Sequence, residues 1–287
     1  MIECNGKNIE FSCEVFPPKR NEDMYDIYKT LDEIKLLNPD FISVTYGAGG
    51  SNSKRTAQIA TYIQNISEVE ALAHVTAVGV NPEKLACMLE EFERKNVRRI
   101  LALRGDKPRD MSDEDFKERY YKYASDIIKV IKDNGNFKIA AACYPEKHPE
   151  ASTVAEDIKY LKEKVEIGAD ELITQMFFDN NKFYDFMDKL RAANVNVPVH
   201  AGLMPITAAN QLGTSVALSG SSVPTELSNI IAKYSEDPIS MRKAGVEYAI
   251  RQTEDLIKNG VDGIHIYCMN KFDVTREIYE AVVYDLT

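Results

Sequence analysis

The stretch Ala71–Asp106, ALAHVTAVGVNPEKLACMLEEFERKNVRRILALRGD, contains the repeating unit from which the fold is read. It opens on an apolar run of strand length, Ala71–Thr76. Asn81 before Pro82 then reads as a helix N-cap followed by proline at the first helical position. Leu85, Met88, Leu89 and Phe92 recur at i, i+3, i+4, i+7, so one helical face is apolar and can cover a sheet. A second apolar run, Arg99–Arg104, begins roughly 30 residues after the first, which is the period of a βα unit.

The same alternation runs along the whole chain. Strands are expected at Asn8–Val15, Phe41–Thr45, Ala71–Thr76, Arg99–Arg104, Lys138–Tyr144, Glu171–Phe177, Pro198–Leu203 and Gly263–Tyr267. Helical patterns such as Ile59, Tyr62, Ile63, Ile66 lie between them, and Gly168 and Gly260 stand where helices should end. Several strands are entered through a similar phrase: Pro39-Asp40-Phe41, Val97-Arg98-Arg99, Ala169-Asp170-Glu171 and Val261-Asp262-Gly263. This reuse favours a repeated βα geometry. Eight strands with intervening helices predict the α/β class and a (β/α)8 TIM barrel. Residues 1–287 would form a single barrel domain, with 204–262 as an elaborated connection between strands 7 and 8. That connection holds a Gly/Ser-rich stretch, Gly213–Ser222, followed by helical sequence from Thr225. An open doubly wound sheet would need a glycine fingerprint after the first strand, and Glu14-Val-Phe-Pro-Pro18 supplies none.

The 287 residues are 44% hydrophobic and 28% charged, the composition of a folded globular chain with enough length for a sizeable core. A formal net charge of −10 would repel a polyanion, so nucleic acid is a poor partner. The longest apolar runs are strand-sized, far below the roughly 20 residues that span a bilayer. Met1–Glu10 lacks the basic and apolar regions of a secretion signal. The five cysteines, at 4, 13, 87, 143 and 268, are odd in number and form no Cys-x-x-Cys. A cytoplasmic protein with reduced thiols is expected.

Barrels of this class carry their chemistry at the carboxyl ends of the strands. Those positions are polar here: Glu14; Thr45 and Tyr46; His74 and Thr76; Arg104-Gly105-Asp106; Tyr144-Pro-Glu-Lys-His148; Gln175; and Tyr267. Strand parity turns Phe11, Cys13 and Val15 toward the helices and Ser12 and Glu14 into the barrel. An inward carboxylate suits general-acid chemistry or an ion pair with an interior base, and spacing alone leaves both open. Arg104-Gly-Asp-Lys-Pro is also an ordinary turn, which gives Asp106 a purely structural alternative. His74 and His265, within strands, read first as satisfied core residues, whereas His148 sits in a proline-bracketed loop suited to binding. No paired-histidine motif points to a catalytic metal. Gly47-Ala-Gly-Gly50 lacks the third glycine of a dinucleotide fingerprint, with Asn52 in its place; it reads as a close approach of backbone to a flat ligand or as a turn.

Taken together, the blocks Phe11–Pro18, Phe41–Ala48, Ala73–Thr76, Leu101–Asp106, Tyr123–Asp126, Ala142–Ala151, Ile173–Asp179 and Ile264–Tyr267 resemble the methylenetetrahydrofolate reductase family in order and spacing over nearly the whole chain. The resemblance implies an FAD-dependent reduction of 5,10-methylenetetrahydrofolate to 5-methyltetrahydrofolate. Glu14 would be the general acid that protonates N10 of the folate as its five-membered ring opens, and Asp106 would act beside the flavin and the pterin. Thr45, Tyr46, Ala48, His74, Arg104, Gly105, Asp106, Ala124, Tyr144, His148, Ala151, Asp157 and Lys164 match positions that line FAD. Gln175, Gln211, Tyr267 and Lys271 match positions that contact the folate.

The chain also departs from the family pattern. Tyr160 and Glu163 replace the Asn and Arg of some relatives near the adenosine-diphosphate end, where an acid beside a phosphate is unfavourable. Lys271 offers a charge without the bidentate fork of Arg. The Gly213-Thr-Ser215 region lacks an aromatic that some relatives stack on nicotinamide. The electron donor is therefore expected to be NADH, NADPH or a redox partner protein such as a flavoprotein or iron–sulfur protein. A homo-oligomer is also expected. The chain ends soon after its last strand, so no S-adenosylmethionine-binding regulatory domain is expected. The competing readings are a flavin-free pterin methyl transferase and a catalytically silent flavin- or folate-binding subunit of an electron-transfer complex.

Overall fold

The computed structural model describes residues 2–4, 6–18, 20, 23–46, 53–108 and 110–286. In chain order the elements are β1 (Ile2–Cys4), β2 (Lys7–Val15), α1 (Met24–Lys35), β3 (Phe41–Val44), α2 (Ser53–Asn65), β4 (Glu70–Thr76), α3 (Pro82–Arg94), β5 (Arg99–Leu103), α4 (Asp113–Glu118), α5 (Ala124–Asn134) and β6 (Lys138–Cys143). They continue with α6 (Val154–Ile167), β7 (Glu171–Thr174), α7 (Asn180–Ala192), β8 (Val199–Leu203), α8 (Ala209–Ser219), α9 (Thr225–Tyr234), α10 (Pro238–Lys258), β9 (Gly263–Tyr267) and α11 (Phe272–Leu286). The strands form one sheet in chain order, and β2 also pairs with β9, so the eight strands β2–β9 close the (β/α)8 barrel. Among the described residues no helix is long and apolar enough to cross a membrane.

The chain divides into two compact units, residues 13–142 with 163–172, and residues 1–12 with 143–162 and 173–287. In the first, β3, β4, β5 and β6 run parallel, with Phe41 opposite Glu70 and Arg99 opposite Lys138. This register gathers the charged first residues of the strands. Arg99, 1% exposed, grips both oxygens of Glu171 at 2.6 Å through Nε and Nη2, and reaches Glu70 at 2.7 Å through Nη1. Its guanidinium lies 3.7 Å from the centroid of the Phe41 ring, and Lys138 Nζ adds a 2.9 Å contact to Glu171. The buried carboxylate is thus fully paired, as burial demands. The helices cover the sheet as their periodicity predicts: Leu85, Met88, Leu89 and Phe92 are the buried face of α3, and Asn81 Oδ1 accepts the Lys84 N–H at 2.9 Å. Ile66 falls just past the end of α2 and is 61% exposed, so it does not join the apolar face.

In the second unit β8 and β9 run parallel. β2 is the expected first strand, and only β1, antiparallel to it with Ile2 opposite Ile9, has no counterpart in the expected strands; Gly6 at φ +75° lies in the turn between them. Two of the four entry phrases, one in each unit, prove to be strand clamps. Asp170, ahead of β7, accepts the Ile139 N–H of β6 at 2.8 Å, and Asp262, ahead of β9, accepts the Val199 N–H of β8 at 3.0 Å. The segment 204–262 is three helices. Gly213–Ser219 lies inside α8 rather than in open loop, and Gly220, left-handed at φ +70°, caps it. Phe178, Ile206, Leu227 and Met241 form a small core beneath these helices.

Candidate active site

In the unit built on β3–β6, the parity of β2 places Glu14 as expected. Oε2 of Glu14 lies 3.4 Å from Nε2 of His74, on β4; the two side chains are 18% and 6% exposed. Thr45 follows β3; its N–H donates to the Val15 carbonyl at 3.0 Å, and its carbonyl accepts the Thr56 hydroxyl at 2.9 Å. Tyr46 is buried with its hydroxyl 4.0 Å from Met88 Sδ, on the helix α3. Past β5 the chain turns at Gly105, φ +82°, where a Cβ would stand 2.9 Å from that of Thr76. Only glycine adopts this turn without strain, and it leaves Arg104 half-buried and Asp106 exposed. Ala124 opens α5 and is half-buried. Lys164, on α6, donates to the Ala142 carbonyl at 2.7 Å, at the end of β6. Ala48 and the surrounding 47–52 lie outside the described residues.

In the other unit, the loop after β6 is held by its own polar groups. Asp157 is buried, and its carboxylate accepts the His148 N–H at 2.9 Å. His148 Nδ1 accepts the Glu150 N–H at 3.1 Å, and its ring meets Tyr144 edge-on at 4.6 Å. Lys147, at φ +80°, carries its ammonium back onto the carbonyls of His148 and Ala151. Sequence reasoning passed over Lys147; its only signal was its place inside a proline-bracketed turn. Glu146 accepts the Ser222 N–H at 3.0 Å, tying this loop to the segment after α8. The contacts of Asp157 and Lys147 are therefore with the scaffold that presents Tyr144, His148 and Ala151.

Three of the four folate candidates come together. Gln211, Tyr267 and Lys271 line one hollow of about 10 Å³ with Thr207 and Val274. That is room for roughly one water. Gln211 Oε1 also accepts the N–H groups of Thr207 and Ala208 at 2.8 Å, capping α8. Tyr267 donates its hydroxyl to the Thr174 carbonyl at 2.7 Å. Gln175, the fourth, is half-buried with Oε1 on the Met176 N–H at 2.9 Å. His265 is a satisfied core residue, its Nδ1 2.7 Å from the Ser12 hydroxyl. Just past Tyr267, Met269 and Asn270 are consecutive left-handed residues, at φ +51° and +56°.

A (β/α)8 barrel with a carboxylate–imidazole pair and further titratable groups at its strand ends is built as a barrel enzyme. The sequence model of the family described as methylenetetrahydrofolate reductase matches residues 2–283, and the chain belongs to that family. It is 31% identical over 278 residues to the 5,10-methylenetetrahydrofolate reductase of Pectobacterium carotovorum subsp. carotovorum, covering 97% of this chain and 91% of the relative. It is 35% identical over 279 residues to methylenetetrahydrofolate reductase 1 of Schizosaccharomyces pombe, covering 96% of this chain but only 46% of that protein. Among solved structures, an uncharacterized protein from Clostridium thermocellum that binds two copies of 5-methyl-5,6,7,8-tetrahydrofolic acid shares the fold. Its TM-score is 0.66 at 14% identity, over 97% of this chain and 95% of that one.

Proposed function

We propose that this chain reduces 5,10-methylenetetrahydrofolate to 5-methyltetrahydrofolate with FAD as its bound cofactor. The observation that carries the reading is the pairing of Glu14 with His74 at a strand end, in a chain whose family match spans residues 2–283. Glu14 is the general acid whose carboxyl delivers the proton to N10 of the folate, with His74 Nε2 3.4 Å from its Oε2. Asp106, exposed beyond the Gly105 turn, contacts the pterin and places a negative charge near the flavin ring.

The residues present fit a flavin. The backbone at Gly105 is drawn so close to Thr76 and Val78 that a side chain is excluded, a turn that sets Arg104 and Asp106 on either side of it. Thr45, Tyr46, His74 and Ala124 in the unit built on β3–β6, and Tyr144, His148 and Ala151 in the other, are each assigned as cofactor contacts. Asp157 and Lys164 serve it through the contacts that hold His148 and the end of β6. When bound and reduced, FAD supplies the hydride that the methylene carbon accepts. Gln175, Gln211, Tyr267 and Lys271 orient the folate. The electron donor is NADH, NADPH or a redox partner protein, and a cytoplasmic setting is supported by the five free cysteines.

The test is an anaerobic assay of the FAD-loaded protein with each donor in turn, following 5-methyltetrahydrofolate. Formation of that product with any donor supports the reading, and its absence when chemically reduced protein meets 5,10-methylenetetrahydrofolate overturns it.

A further inference from the structure

The end of β8 offers a constraint on Tyr267 that neither composition nor motif discloses. Gly202 lies directly beneath the Tyr267 ring: a Cβ built there would stand 2.8 Å from Cε2 and 2.9 Å from the hydroxyl oxygen. The same Cβ would be 2.2 Å from the Thr174 carbonyl oxygen. Two hydrogen bonds close the arrangement. The Gly202 N–H donates to the Thr174 hydroxyl at 2.8 Å, and the Tyr267 hydroxyl donates to the Thr174 carbonyl at 2.7 Å. The His265 ring meets Tyr267 edge-on at 5.4 Å from the same strand.

We propose that Thr174 and Gly202 are positioning residues that lay the Tyr267 ring flat across β8. Thr174 is fully buried, so its hydroxyl has no solvent to bond in place of Gly202. It spends its hydroxyl on β8 and its carbonyl on β9, and so joins the ends of three strands. The next N–H, of Gln175, donates to the Cys143 carbonyl at 2.7 Å, which fixes the peptide between Thr174 and Gln175 on both sides. A side chain at 202 displaces the Tyr267 ring directly, and a lost hydroxyl at 174 releases the Gly202 backbone on which the ring lies, so that in either case the ring can stand up at the strand ends. There it occupies space that the pterin and its side chain need. The pose of one aromatic ring thereby sets whether Gln175, Gln211 and Lys271 can act on one ligand.

This inference rests on the proposed folate activity, and the experiment separates the two. The FAD-loaded protein and its Thr174→Val, Thr174→Ser, Tyr267→Phe and Thr174→Val/Tyr267→Phe variants are titrated with 5-methyltetrahydrofolate, reading the flavin absorbance change, and kcat and KM are measured on the reductase reaction. Thr174→Ser keeps the hydroxyl and should bind within about twofold of the parent. Thr174→Val and Tyr267→Phe each forfeit one hydrogen bond and should weaken binding about tenfold, in KM more than in kcat. The double variant should be no weaker than the worse single one, because both act through one ring. Parent-like binding by Thr174→Val or by Tyr267→Phe, or losses that multiply in the double variant, overturns the inference. If Thr174→Val does not fold, parent-like binding by Tyr267→Phe, which removes one oxygen and keeps the ring, still overturns it. Failure of the parent to bind 5-methyltetrahydrofolate would instead overturn the function proposed above.

Discussion

Replacing Arg99 with methionine should destabilise the protein far more than removing any exposed charge. Arg99 is 1% exposed and supplies two 2.6 Å bonds to Glu171, which is itself buried. Without it, the Glu171 carboxylate loses its bidentate partner, while Lys138 Nζ stays at 2.9 Å. Breaking a buried pair by removing one partner costs about 3–5 kcal/mol, since the remaining charge stays out of water. The 3.7 Å stacking on Phe41 adds to the loss, and we place Arg99→Met at about 4 kcal/mol. The other partner gives the internal control. Glu70 is 42% exposed on its side chain, so Glu70→Gln should cost under about 1 kcal/mol although its bond is nearly as short, at 2.7 Å. Arg99→Met/Glu171→Leu should recover at least about 2 kcal/mol over the sum of the single changes, because no buried charge is then stranded. Urea unfolding followed by far-ultraviolet circular dichroism measures all four. An Arg99→Met loss below about 1 kcal/mol, or a Glu70→Gln loss equal to it, would refute the argument that burial rather than bond length sets the cost.

Three further outcomes follow from the structure. Glu14→Gln should keep bound flavin and its reduction by the donor while folate reduction falls roughly 10²–10⁴-fold in single-turnover assays; unchanged folate turnover removes Glu14 from the chemistry. Met269→Gly relieves a left-handed residue that is 43% exposed and should raise stability by about 1 kcal/mol, read as a higher thermal midpoint; a lower midpoint contradicts the strain. Burial, helped by the nearby Glu226 and Asp179 charges, pushes the Tyr248 hydroxyl up to about 12 from an ordinary 10.0, while it donates to the Phe178 carbonyl at 2.6 Å. Its folded-state value is raised, so its contribution is complete below pH 10 and is lost as pH climbs toward 12. Urea unfolding across that window should show a fall in stability that Tyr248→Phe reduces, and an unchanged slope in the variant would place the alkaline loss elsewhere.

What the sequence disclosed is what is local. The apolar spacing of α3 and the Asn81 cap are fixed within one helix, and the alternation Phe11, Ser12, Cys13, Glu14 is fixed within one strand, so period and parity are enough to read them. Phe11 does turn outward, its ring 4.7 Å from that of Tyr279 on α11, while Ser12 meets His265 inside. The strand-entry phrase is visible as a repeat, but the purpose of Asp170 and Asp262 within it is not, because each bonds the strand before it, 31 or 63 residues away. Arg99 looked like any basic residue at a strand start; its partners lie 29 and 72 positions distant. Composition misled at Gly213–Ser219, where a helix backed by the Phe178–Ile206 core overrides the weak propensity of glycine and serine. Lys147 and Thr174 are invisible for a related reason: each bonds backbone groups, which every residue carries and no motif marks.

The most direct test of the central claim is an anaerobic visible spectrum of the FAD-loaded protein, first reduced chemically and then mixed with 5,10-methylenetetrahydrofolate. The account predicts that oxidised-flavin absorbance returns in step with 5-methyltetrahydrofolate, and that in the Glu14→Gln variant the flavin stays bleached. A reduced flavin that the folate leaves bleached in the unmodified protein would contradict it.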